Sequence, residues 1–105
     1  MNNIKLSYRY RDYANYKNHG EVIFSNPENL SVTDINHIIQ ENLIDGQWFY
    51  ASKWEVKDLH FDKYDDEIDH AFHEFDTVES TEEEANDERT ILEFINILST
   101  KQMLH

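Results

Sequence analysis

His70, His73 and Glu74 are the residues of this chain whose types and spacing come closest to a chemical site. They stand in the run Asp69-His70-Ala71-Phe72-His73-Glu74-Phe75-Asp76. Imidazole nitrogens completed by carboxylate oxygens suit zinc and similar ions. Two histidines three apart share one face of a helix but point to opposite faces of a strand. A metal set of His70, His73 and Glu74 therefore needs a helix or an irregular loop here, with His60, Asp66 and Asp69 as further donors. The order is HxxHE, not the HExxH of zinc proteases. The simpler reading packs one histidine at a sheet edge against a carboxylate, leaves the other in water, and expects no cofactor.

The same three residues could serve a small acid–base enzyme, given a pocket and a shifted carboxylate or imidazole. The sequence offers no glycine-rich phosphate loop and no nucleophile elbow. With no cysteine, thiolate ligands, cysteine nucleophiles and disulfides are excluded. Asp62, Asp65, Asp66, Glu67 and Asp69 lie close enough to attract Ca²⁺. An EF-hand loop needs a central glycine, and no glycine follows Gly46, so adventitious cation binding is the better expectation.

Charge is the dominant feature. Between Asp58 and Glu88 there are fourteen carboxylates and one lysine, Lys63. The 105 residues carry nine basic and 22 acidic groups, a net −13, of which −12 falls on residues 58–105. Such a field repels nucleic acid and anionic membrane and draws in basic partners; the bland alternative is a surface charged for solubility. The residues expected to meet a basic protein partner are Asp62, Asp65, Asp66, Glu67, Asp69, Glu74, Asp76 and Glu79. Trp48, Phe49, Tyr50 and Trp54 are available as apolar anchors, or as core.

One local feature opposes this. Lys5, Arg9, Arg11 and Lys17 lie among Tyr8, Tyr10, Tyr13 and Tyr16. Stacking and phosphate contact use such residues, so a small RNA-binding domain built on Arg9 and Arg11 is an alternative. The simpler expectation pairs this basic face with the protein's own acidic segment.

The elements that must position these groups can be read from periodicity. Ile4, Leu6, Tyr8 and Tyr10 alternate with polar residues, the pattern of a half-buried strand. Asp12 to Gly20 is a turn, and Glu21 to Ser25 is a second strand in an antiparallel hairpin that ends at Asn26-Pro27. Ser31 is a good helix N-cap with Asp34 in the N3 position. Val32, Ile35, Ile38, Ile39 and Leu43 give a helix over about 32–44, stopped at Asp45-Gly46. Gln47 to Val56 reads as one strand or two short ones. Residues 72–78 read as a strand, though Ile68, Ala71, Phe72 and Phe75 also fit a helix. Thr81-x-x-Glu84 fits a capping box, with Asp87 as a competing start, for a helix over about 88–102. One α+β domain follows: an antiparallel sheet of three to five strands with two helices, in the order β-β-α-β-(β)-α. The opening residues lack a signal-peptide core and no run is apolar enough to span a membrane, so a cytoplasmic location is expected.

Tyr8-Arg9-Tyr10-Arg11-Asp12 with Asn15-Tyr16-Lys17, Gly20-Glu21-Val22 and Phe24-Ser25-Asn26-Pro27, then Asp45-Gly46-Gln47-Trp48-Phe49 and Asp69-His70 through Phe75, resemble a group of small uncharacterised bacterial proteins. The resemblance covers most of residues 6–80. It implies a bacterial or phage source and brings no activity. The functional expectation is a non-catalytic acidic protein acting stoichiometrically on a basic macromolecule. Its sharpest form is an inhibitor of a nucleic-acid-handling enzyme, of the anti-defence, immunity or antitoxin kind.

Overall fold

The computed structural model describes residues 2–12, 14–59 and 72–103, with side chains as far as Ser99. Strand β1 (Asn3–Arg11) pairs antiparallel with β2 (Lys17–Phe24). Helix α1 (Val32–Glu41), the two-residue strand β3 (Trp48–Phe49) and one-turn helix α2 (Ala51–Trp54) follow. Strand β4 (His73–Thr81) and helix α3 (Ile91–Met103) complete the chain. The sheet order is β2-β1-β4-β3, antiparallel throughout, so β1 lies between its hairpin partner and β4. The α+β class, the antiparallel sheet and the two long helices are as expected.

The alternation of β1 decides the layering. Ile4, Leu6, Tyr8 and Tyr10 are buried on one face, under Ile35 and Ile39 of α1, Ala51 and Trp54 of α2, and Ile91, Phe94, Ile95 and Leu98 of α3. Lys5, Ser7, Arg9 and Arg11 lie on the other face, which no helix among the described residues covers. The hairpin turn is built on Asp12, whose carboxylate accepts the N–H of Tyr16 at 2.9 Å while Asn15 takes a left-handed φ of 70°. Asparagine tolerates that conformation better than most residues.

Strand β4 departs from simple alternation at one point. Tyr8 pairs with Phe75 but Ser7 pairs with Thr77, leaving Asp76 as the extra residue of a β-bulge. The bulge lets His73, Phe75 and Val78 all face the core although Phe75 and Val78 are three apart. It also puts Glu74 and Asp76 on the uncovered face with Arg9.

Three expectations are corrected. Residues 17–20, expected in the turn, belong to β2, which runs Lys17–Phe24. Residues 47–56 are not a long strand: only Trp48 and Phe49 pair with β4, and residues 51–54 form a helical turn. That turn places Ala51 and Trp54 on one side, so that the Trp54 ring stacks on Phe49 at 3.8 Å between centroids. The capping box at Thr81 is also absent, because β4 runs through Thr81 and its hydroxyl accepts from the N–H of Glu83. Helix α3 starts three residues later than expected, at a different box. Thr90 Oγ1 accepts the Glu93 N–H at 3.2 Å and Glu93 Oε1 accepts the Thr90 N–H at 3.0 Å. Replacing Thr90 by alanine should lower the free energy of unfolding by about 1 kcal/mol, measured by urea denaturation; an unchanged midpoint would show that the box carries no weight. Helix α1 behaves as expected at its start, where Ser31 Oγ accepts the Asp34 N–H at 3.1 Å, and ends at Glu41.

Candidate functional site

The uncovered sheet face is where the charged and aromatic groups converge. Glu74 stands at its centre. Arg9 donates from Nε to Glu74 Oε1 at 2.7 Å, and Arg11 donates from Nε to Oε2 at 3.1 Å and from Nη2 to Oε1 at 3.2 Å. Arg9 and Arg11 are alternate residues of β1, so their side chains leave the same face one step apart. The Arg9–Glu74 cross-strand register brings one carboxylate between them. The Glu74 side chain is only 16% exposed. Burial pushes its carboxyl upward, but the hydrogen bonds and charges of Arg9 and Arg11 outweigh that and hold it below the ordinary carboxylate range. It is therefore ionised at neutral pH and has no proton to give as a general acid. Arg9 also lies 3.7 Å from Asp76, and Arg11 donates to Asn15 Oδ1.

Aromatic rings flank this cluster on the β3 side. The Trp48 ring stacks on Phe72 at 6.0 Å, and Tyr50 meets Phe72 at 4.9 Å. Of the four aromatics that could have anchored a partner, Phe49 and Trp54 are buried core residues, while Trp48 and Tyr50 are half-buried. At the far end of the face Lys5 is ion-paired with Glu83 and lies 3.9 Å from Glu21.

His73 lies on the opposite side of β4 from Glu74, inside the core and 1% exposed. Tyr10, Phe49 and Tyr8 surround it at 5.2, 5.8 and 6.1 Å between ring centroids. Its Nε2 accepts the backbone N–H of Leu59 at 3.0 Å and lies 3.6 Å from Asp58 Oδ1. That lone pair holds the 57–59 segment against the sheet. Adjacent residues of a strand point apart, so His73 and Glu74 do not converge on an ion or a substrate. No metal-binding cluster occurs among the described residues. His60, Asp62, Asp65, Asp66, Glu67, Asp69 and His70 lie outside the described residues.

The acidic residues within reach behave in two ways. Glu74 is consumed by its arginines, Glu83 by Lys5, and Asp87 by Arg89, whose hydrogen bonds hold the Asp87 carboxyl low. Asp76, Glu79, Glu82, Glu84 and Glu88 are exposed. Of these, Glu79, Glu82, Glu84 and Glu88 have no ion pair among the described residues.

Sequence reasoning anticipated that the basic face of β1 would meet the chain's own acids, and Glu74 does so. It missed Asn86, which closes the end of the β2 edge: Ile23 donates its N–H to Asn86 Oδ1 and accepts the Asn86 N–H, both at 2.9 Å. No helix among the described residues is long and apolar enough to cross a membrane. No protein-family model, curated protein or solved structure matches the chain.

Proposed function

We propose that this chain is a non-catalytic acidic binding protein of the cytoplasm that captures a basic macromolecular partner, such as the nucleic-acid groove of an enzyme. The observation that carries this reading is how the uncovered sheet face uses its cations. Arg9, Arg11 and Lys5 are spent on Glu74 and Glu83, while Asp76 and Glu79 of β4 and Glu82 and Glu84 just after it stay exposed. With these cations compensated, and Lys17 at the hairpin end the exposed cation left unpaired among the described residues, the face presents chiefly its negative surplus to an approaching partner, which sets orientation and on-rate. The same pairing argues against phosphate binding by Arg9 and Arg11, since their guanidinium groups already hold a carboxylate. It also argues against an acid–base role for Glu74, which has no proton to give, is a weakened base because Arg9 and Arg11 donate to both its oxygens, and faces away from His73.

Reversing charge at Asp76, Glu79, Glu82 and Glu84 together, each to lysine, tests the reading. These side chains are exposed, so the fold should survive, as circular dichroism can check. Capture of basic proteins from a bacterial lysate should fall at least tenfold in the variant, and capture by the natural chain should be competed by double-stranded DNA and decline as salt rises. Capture indifferent to the four reversals, to DNA and to salt would reject the proposal.

A further inference from the structure

Strand β2 forms one margin of the sheet. Ile23 turns its N–H and C=O away from β1 and toward Asn86. Backbone groups two residues apart point the same way along a strand, so Lys17, His19 and Glu21 also aim their N–H and C=O outward. Among the described residues these groups have no hydrogen-bond partner. The open window is bounded on both sides. Asn86 occupies the edge at Ile23, and at the other end the chain turns back toward β1, where the Asp12 N–H donates to the Tyr16 C=O at 3.0 Å. The centre of the window is His19.

The side chains of the window are arranged symmetrically about that centre. Lys17, His19 and Glu21 sit opposite Arg11, Arg9 and Ser7 of β1, hence on the uncovered face, and all three are exposed. We propose that this edge pairs antiparallel with the same edge of a second copy of the chain, about a two-fold axis at His19. That operation sets His19 against His19 and each Lys17 against the Glu21 of the other copy. The three outward-facing residues of each strand then exchange ladder hydrogen bonds, and the two sheets become one of eight strands. A shift of two residues in either direction loses this match, because it brings the strand against Asn86 or runs it past the turn at Tyr16.

The charge pattern selects a second copy over an unrelated strand. A lysine and a glutamate equidistant from the axis are self-complementary under a two-fold, and only under a two-fold. On the other face of the strand Gly20 contributes no side chain, and a Cβ there would lie 3.1 Å from Leu59 and 3.2 Å from the Tyr8 ring. Tyr16, 69% exposed, stands at the end of the window, opposite Val22 of the second copy. The inference does not rest on the partner-binding reading, which uses acidic side chains of β4 and the residues after it rather than the backbone edge of β2.

Sedimentation equilibrium over a range of concentrations, at about 0.15 M salt so that the net charges are screened beyond about 8 Å, tests the proposal. The natural chain should form dimers and nothing larger. Lys17→Glu alone and Glu21→Lys alone should each weaken the dimer about tenfold, because both cross-strand pairs become like-charged. Mixing the two variants should restore association, since one chain then carries two acids in the window and the other two lysines. His19→Pro should abolish the dimer while leaving the β1 pairing intact, because the lost N–H points outward. Circular dichroism matching the natural chain confirms that each variant is folded. A chain that stays monomeric throughout overturns the proposal, as does a dimer indifferent to the single reversals or a mixture that fails to associate.

Discussion

Replacing Phe94 by alanine should lower the free energy of unfolding by about 3–5 kcal/mol, the largest loss expected for a single side chain here. Phe94 is fully buried on α3. Its ring stacks on Phe24 of β2 at 4.6 Å and meets the edge of Trp54 of α2 at 5.6 Å. It therefore joins α3 to both β2 and α2. The guanidinium of Arg89 lies 5.3 Å from the Phe94 ring and 5.4 Å from the Phe24 ring. From there Arg89 donates to the carbonyls of Trp54 and Glu55, each at 3.0 Å, and to Asp87. Removing Phe94 leaves a cavity and unseats the arginine that ties the end of α2 to the start of α3. Domains of this size are stable by roughly 5–15 kcal/mol, so this one truncation removes a large share of the total. Phe94→Leu, which keeps most of the volume, should cost less than about 1.5 kcal/mol. Urea unfolding followed by tryptophan fluorescence measures both; a loss under 1 kcal/mol for the alanine variant would mean that the ring is not a core contact.

Much of this architecture was legible because its signals are local. The alternation of Ile4, Leu6, Tyr8 and Tyr10 identifies both a strand and its buried face. Ser31 and the stripe Val32, Ile35, Ile39 identify a helix with its start. Strand β4 was harder, because a bulge at Asp76 adds one residue between Phe75 and Val78. The three-residue apolar spacing then suits a helix as well as a strand, and pairing with β1 resolves it in favour of the strand. The region after Gly46 was misread for a related reason. Trp48, Phe49, Tyr50 and Trp54 have strand propensity, but burying Ala51 and Trp54 together requires a helical turn, and tertiary packing overrides propensity.

The site divides in the same way. That Arg9 and Arg11 would find an acidic partner follows from their shared face and the charge of the second half. That the partner would be Glu74 depends on the β1–β4 register, which no local pattern reports. His73 looked like chemistry because histidine beside glutamate is suggestive. Neighbours along a strand diverge, however, and the imidazole is enclosed by aromatic rings and a backbone N–H. The closing of the β2 edge by Asn86 was invisible for the same reason as the register, since it links residues 63 positions apart.

Replacing Glu74 by alanine should cost about 2 kcal/mol at neutral pH, in the range for hydrogen bonds to charged groups. Partial exposure of both arginines, 28% and 33%, keeps the figure from being higher. The loss exceeds that of an ordinary surface pair because two guanidinium groups one step apart on β1 share this carboxylate, and without it they face each other as like charges. The pH dependence gives a second, independent test. The carboxyl is held below its ordinary value of 4.5 in the folded chain. A carboxyl so depressed contributes stability that is fully present above its unfolded value and is lost as pH falls through the folded one. The natural chain should therefore lose stability steadily as pH drops below about 4.5, with Asp87, depressed chiefly by its hydrogen bond from Arg89, adding to the slope. Glu74→Gln cannot titrate and should lose stability less steeply over that range, so the gap between the two proteins should narrow as the solution is acidified. Parallel stability curves from pH 6 down to pH 3 would mean that the arginines do not hold Glu74 in solution. In that case Arg9 and Arg11 would be available to a phosphate, and the argument from compensated cations that favours a basic partner would lose its support.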